Sequence, residues 1–354
     1  MSRNRITRRE FIRDTALAAA GIAVGMGRAN GEIVPPAVKP LNYNEKMEYR
    51  RLGKTGLMIS AIALGGHWKR LIAGSGWERQ TSGIDELDKN RYEVVSRCID
   101  AGINYLDACS GGEILTYAKA LKGRRDKMYF GYSWYERESR FEDWRSAEKL
   151  LEGLDQGLKE SGLEYVDVWR ISALMDGTNT DADVEAMIQA YNKAHVQGKA
   201  RFLGVSSHSR EWLKYVIEKY RQFSVVLTPY TAASKVKPED SLFEAVKKQD
   251  VGVFGIKPFS SGSLFKDGAG AGGVHTAADD ELARLALRYV LCNDAITAPI
   301  PGLISIHQVN NAVRAVKERR KLDMKETAQL GEAAHDMMAS LPQEYHWLRE
   351  WEWV

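Results

Sequence analysis

The feature that constrains this chain most is an alternation. From Ala61 onward, short apolar runs rich in Val, Ile and aromatic residues are each followed by an amphipathic stretch, eight times over. That is the signature of βα units around a parallel sheet. The runs read as strands cover residues 61–65, 103–107, 128–133, 166–172, 202–206, 224–228, 252–257 and 297–301. Helical patterns fall near 86–100, 114–121, 141–161, 183–197, 210–220, 238–248, 280–292 and 306–316. Eight such pairs in about 260 residues match the size of a (β/α)8 TIM barrel, an α/β fold. A doubly wound sheet is the competitor, but no G-x-G-x-x-G follows the first strand, so its dinucleotide fingerprint is missing. Ahead of the barrel, residues 48–51 and 58–60 flank Gly53-Lys54-Thr55-Gly56, which predicts an N-terminal β-hairpin plugging the bottom. After it, residues 326–341 read as an extra C-terminal helix. The tail Tyr345 to Trp353 is aromatic, and either packs on the body or binds a ligand.

Composition removes other classes. At 354 residues with 44% hydrophobic and 27% charged side chains, the chain can bury a sizeable core, which excludes disorder and coiled coil for the whole. Of 50 basic and 47 acidic side chains, six arginines and two acids fall in residues 1–29, leaving 44 against 45 beyond them. A nucleic-acid footprint is therefore unsupported. Cys98, Cys109 and Cys292 form no C-x-x-C and no even framework, and the histidines show no H-E-x-x-H, so no metal site is advertised.

Residues 1–30 read as an address. Thr7-Arg8-Arg9-Glu10-Phe11-Ile12 precedes an Ala/Gly-rich run from Thr15 to Met26, too short for a stable membrane span. The pattern resembles a twin-arginine (Tat) signal peptide; the bland alternative is a basic amphipathic helix. The resemblance implies the Tat export machinery as a partner and a periplasmic or extracellular destination, with the protein tethered if cleavage after Ala29 does not occur. A Pro-containing linker at 31–46 then leads into a barrel domain over 47–354.

The loops at the strand ends carry a family likeness. Tyr49-Arg50-Arg51-Leu52-Gly53-Lys54-Thr55-Gly56-Leu57, leading into Leu64-Gly65-Gly66, resembles the opening of the aldo/keto reductases. Gly102-Ile103-Asn104-Tyr105-Leu106-Asp107 resembles their second strand and Gly204-Val205-Ser206-Ser207-His208 their fifth. Lys257-Pro258-Phe259-Ser260-Ser261-Gly262 is similar to their seventh-strand cofactor loop, and Ile300-Pro301-Gly302 with Gln308 to their eighth. The likeness runs from Tyr49 to Val316 in order. It implies reduction of a carbonyl, or oxidation of an alcohol, with NADP or NAD. The cofactor positions it assigns are Ser206, Ser207, Thr228, Lys257, Pro258, Ser260, Gly262, Gly302, Ser305, Gln308 and Asn311. Ile256 stands where the family often stacks an aromatic on nicotinamide. No permanent cation follows Pro301 to hold a 2′-phosphate, so NAD, or no cofactor, stays open.

The family places an Asp, a Tyr, a Lys and a His at the ends of strands two to four; the tyrosine hydroxyl protonates the carbonyl oxygen as hydride arrives. Here the aspartate matches Asp107. Residues 108–116 contain no tyrosine, the lysine position holds Ser133 and the histidine position Ser172, a degenerate tetrad. Asp107 without a lysine is left to find Arg124, Arg170 or a sugar hydroxyl. His67, beside Trp68 at the end of strand one, either transfers a proton, its unperturbed pKa of about 6.5 suiting that work, or serves structure or substrate binding. Alternation turns Tyr132 away from Ser133 toward the helices. Catalysis, if it survives, would rest on Asp107, His67, Ser133 and Ser172, with Trp68 and Trp134 lining a pocket for a sugar-like small molecule. The alternatives are a non-catalytic binding protein reusing the pocket and, more weakly, an isomerase or lyase with Asp107 as base.

Overall fold

The chain enters through a hairpin. β1 (Tyr49–Arg51) pairs antiparallel with β2 (Met58–Ser60) around the turn at Gly53–Thr55. Gly53 holds φ +48, and any Cβ there would meet backbone of residues 250–252 within 2.6 Å, so only glycine lets the hairpin sit this close to the barrel floor. Leu52, Leu57 and Ile59 are buried in one cluster with Tyr105, Val168, Phe202, Val225, Leu227 and Phe254, which places the hairpin as the plug. This computed structural model describes residues 40–66, 85–234, 236, 239–265, 276–341, 343 and 346, with the backbone of a short antiparallel pairing of Gly27–Ala29 with Glu32–Val34. The Tat-like stretch, most of the linker, His67, Trp68, the glycine run 268–273 and the aromatic tail other than His346 lie outside the described residues.

Seven parallel strands follow in sequence order: β3 (Tyr105–Ala108), β4 (Tyr129–Tyr132), β5 (Val166–Ser172), β6 (Ala200–Ser206), β7 (Phe223–Pro229), β8 (Gly252–Ile256) and β9 (Ala298–Ile300). Residues 63–65 close them into a barrel. Ala63 and Gly65 donate to the carbonyls of Pro299 and Pro301, while Leu64 donates to Tyr105 and accepts from Asp107. Eight consecutive parallel neighbours result, as the eight alternating segments predict.

Helices α1 (Asp85–Asp100), α2 (Gly111–Ala120), α3 (Ala147–Ser161), α4 (Asp181–Val196), α5 (Arg210–Lys219), α6 (Leu242–Gln249), α7 (Ala277–Leu291) and α8 (Ile306–Lys317) form the outer ring, and α9 (Met324–Ala339) packs after it. Their starts are set by caps. Ser110 accepts from the Glu113 N–H, so α2 begins three residues before the apolar pattern does. Ser146 and the Ser241–Glu244 capping box hold α3 and α6 back to Ala147 and Leu242, later than periodicity predicts. Among the described residues no helix is long and apolar enough to cross a membrane.

Strand alternation sorts the side chains. On β3, Tyr105 faces the barrel interior and Leu106 the helices; on β5, Val168 faces in while Trp169 and Ile171 face out. The same period turns Asp107, Ser133, Ser172 and Ser206 inward at the carboxyl ends of β3 to β6. On β7, Val225 and Leu227 face in and Val226 out, so Thr228 falls on the helix side.

Candidate active site at the carboxyl mouth

Asp107 and Arg170 form a bidentate pair inside the mouth, Nε to Oδ1 at 2.8 Å and Nη2 to Oδ2 at 2.6 Å. Both side chains are almost fully buried. Burial alone would lower the Arg170 pKa; attraction to Asp107 more than reverses it and holds the guanidinium well above its usual value. Of the partners open to Asp107 from sequence, the fold selects Arg170, because residues 107 and 170 point inward from β3 and β5. Arg124 instead bonds Ser96 and the Ala120 and Tyr92 carbonyls.

Ser133 and Ser172 meet, their hydroxyl oxygens 2.9 Å apart. What joins them is Glu138, buried to 2% exposure. Its Oε2 accepts from Ser133 Oγ at 2.5 Å and the Ser172 N–H at 2.8 Å; its Oε1 accepts from Trp169 Nε1 at 3.1 Å and the Trp134 N–H at 3.2 Å. Burial pushes the Glu138 pKa up, and the hydrogen bonds from Ser133 and Ser172 pull the other way without cancelling it. Sequence reasoning missed Glu138, which comes from a loop six residues past the end of β4. The signal available was the charged run Glu136-Arg137-Glu138 in a βα loop, which lies on the face where chemistry gathers.

Other expected residues stand differently. Trp134, expected to line the pocket, packs its ring beside Gly111 and Gly157 with the Arg137 guanidinium 4.0 Å above it, because the apolar ring finds the helix layer first. Tyr132 faces α3, its buried hydroxyl without an acceptor. Thr228 is removed from the mouth by the alternation on β7. Ser207 Oγ donates to the Leu174 carbonyl at 2.8 Å and so ties the β6 loop to the β5 loop. Ser305 caps α8 by accepting from the Gln308 N–H, Gln308 Oε1 accepts from the Ile304 N–H at 2.7 Å, and Asn311 spans Arg284 and Asp280. These cofactor candidates are engaged within the protein, since a hydroxyl at a helix start caps it unless something better competes. Ser206 keeps its inward place on β6, 5% exposed.

The loop after β8 fits a dinucleotide better. Lys257, Ser260 and Ser261 all hold φ between +49 and +58, three non-glycine residues in the left-handed region within five positions. Such strain costs of order 1–3 kcal/mol per residue and collects at ligand clamps. Pro258 is buried beside them, Gly262 supplies φ +92, and the buried Ser260 Oγ has no hydrogen-bond partner among the described residues. Across from it, Gly302 bridges Gly65, and a Cβ on it would stand 2.8 Å from the Gly66 carbonyl. A nucleotide lying over Ile256 and Ile300 would meet an apolar floor, an unsatisfied hydroxyl and a pre-bent backbone. Among the described residues no three His, Cys, Asp or Glu side chains gather as a metal would need.

Known proteins share this fold. Residues 71–335 match the aldo/keto reductase family. The chain is 26% identical over 303 residues to L-galactose dehydrogenase of Arabidopsis thaliana, covering 79% of this chain and 91% of that protein. It is 25% identical over 243 residues to L-glyceraldehyde 3-phosphate reductase of Escherichia coli K12, covering 64% and 65% respectively. Among solved structures, the holo form of an aldo-keto reductase from Bacillus halodurans superimposes with a TM-score of 0.58 at 23% identity, over 81% of this chain and 96% of that one, a likeness of fold.

Proposed function

With the match spanning most of its length, this chain belongs to the aldo/keto reductase family, and we propose that it is an exported NAD(P)(H)-dependent oxidoreductase acting on a polyhydroxylated, sugar-like carbonyl or alcohol through a rebuilt acid–base set. The observation that carries the reading is the join of Ser133, Ser172 and Glu138 at the strand ends where the family keeps lysine and histidine. Two relatives whose names describe sugar substrates, L-galactose and L-glyceraldehyde 3-phosphate, support the substrate class.

The loop after β8, with Ser206 and the Gly302–Ser305 turn, would hold the cofactor over Ile256. When bound, the nicotinamide supplies or accepts the hydride. The chain's part is the proton. Glu138, its pKa raised by burial, exchanges a proton with the substrate oxygen through the Ser133 and Ser172 hydroxyls, and Arg170 keeps Asp107 ionised to accept a substrate hydroxyl. His67 remains a second proton donor in this reading. With no tyrosine in residues 108–116, where the family keeps its proton donor, reduction of generic aldehydes should fall to background, as losing a positioned donor costs about 10²–10⁴ in rate.

A screen of aldoses, ketoses and polyols with NADP(H) and NAD(H), with His67→Ala and Glu138→Gln alongside, tests this. Turnover of a sugar that falls in Glu138→Gln supports it; robust reduction of simple aldehydes, indifferent to both changes, would sink it. The second reading, a binding protein without catalysis, is favoured by the self-satisfied bonding of Asp107, Ser133 and Ser172, and predicts sugar binding without turnover. Export is tested separately: replacing Arg8 and Arg9 by lysine should leave the protein in the cytoplasm.

A further inference from the structure

Among the described residues Arg140 has no carboxylate within ion-pair distance. It lies in the loop after β4, half-buried, its Nε donating to the Ala173 carbonyl just past Ser172 at 3.4 Å and its guanidinium carbon 5.5 Å from the Tyr135 ring centroid. Among the described residues neither of its Nη atoms has an acceptor, and partial burial lowers its pKa. The nearby acids are already engaged: Asp107 by Arg170, and Glu138 by four donors. From the β6 loop His208 sits close enough to Arg140 and to Lys257 that both, after burial itself, act against its protonation. Three loops, after β4, β6 and β8, thus bring two cations and an imidazole to one side of the mouth.

We propose that Arg140, with His208 beside it, forms an anion subsite for the substrate, so that the polyhydroxylated ligand carries a carboxylate or a phosphate. The proposal rests on the mouth being a substrate pocket. A guanidinium offers the planar fork that such a group accepts, and its bonds to an anion are charge-assisted. An imidazole can donate one N–H to the same anion. Lys257 stands in the strained loop of the other half, the loop proposed to hold the nucleotide.

Calorimetric titration without nucleotide, using D-glucose, D-glucuronate and D-glucose 6-phosphate, tests the subsite on wild type, Arg140→Ala, Arg140→Lys and, in parallel, NADPH. One charged sugar should bind at least tenfold tighter than glucose, and which one tells carboxylate from phosphate. Arg140→Ala should abolish that advantage with NADPH affinity and melting temperature unchanged; Arg140→Lys should keep part of it. Equal affinity for charged and neutral sugars overturns the proposal. So does an Arg140→Ala protein that loses NADPH but keeps the sugar preference, which would assign the cation to the nucleotide. Failure of NADPH to bind any variant refutes the oxidoreductase reading alone, because sugar binding is measured without it.

Discussion

Toward the carboxyl ends of β3 to β6 the inward-facing residues are Asp107, Ser133 (one past β4), Ser172 and Ser206, whereas β7 to β9 turn Leu227, Ile256 and Ile300 inward. On the polar side nearly every group has a protein partner: the ion pair holds Asp107, and Glu138 holds both serines. On the apolar side the adjoining loop keeps an unpartnered Ser260 hydroxyl and three strained residues. At the strand ends themselves the polar half is satisfied without a ligand, while the loop after β8 is not. Mutations should therefore damage the polar half through stability, and the apolar half through binding.

The largest expected effect is on the ion pair. Removing Asp107 alone with Asp107→Ala strands a buried guanidinium and should cost about 3–5 kcal/mol in urea unfolding. The double change Asp107→Leu with Arg170→Met should recover much of it. A single-mutant loss below about 1 kcal/mol would mean the pair is hydrated and the polar half is not sealed.

Next is Glu138. Glu138→Gln sets an amide donor against the Ser172 N–H or the Ser133 hydroxyl and should cost about 1–3 kcal/mol. Its pH dependence sharpens the comparison. Burial raises the folded pKa above the ordinary 4.5, so Glu138's contribution is full below that value and is lost as pH rises through the folded pKa. Wild type should lose stability over that window relative to Glu138→Gln. A difference that stays flat from pH 4 to 8 would show the carboxylate is solvated.

The smallest effect is on the strained loop. Ser261→Gly relieves a left-handed residue and should raise the stability of the nucleotide-free protein by about 1 kcal/mol. If the strain serves binding, NADPH affinity should not improve with it. A destabilised Ser261→Gly protein would show that the loop is held by contacts its backbone angles do not reveal.

Much of this was legible in sequence, for reasons that differ by region. β5 falls where its run of Val, Trp and Ile predicts, at residues 166–172, and the two charges within it, Asp167 and Arg170, are each buried in ion pairs. Helix starts differ from the periodicity at Ser110, Ser146 and Ser241, where a capping hydrogen bond outweighs it at the first turn, while Ser209 and Ser305 cap helices where the periodicity predicts them. Asp107, Ser133 and Ser172 were placed by counting to strand ends. Glu138 and Arg140 were not, because a loop residue is brought to the mouth by tertiary packing that no period encodes. Ser305, Gln308 and Asn311 show the converse: their residue types suit a ligand, and the helix uses them first.

The central claim is that the family's nucleotide half survives while its acid–base half has been rebuilt. Equilibrium titration of the folded protein with NADPH and with NADH, followed by cofactor fluorescence, tests it most directly. Near Ser305 the described basic groups are already paired, Arg284 with Glu318 and His307 with Asp280, so a 2′-phosphate gains little there. The account predicts saturable binding of both, with affinities within about tenfold, or roughly 1.4 kcal/mol. Absence of binding by either, or a preference for NADPH of about a hundredfold, would contradict it.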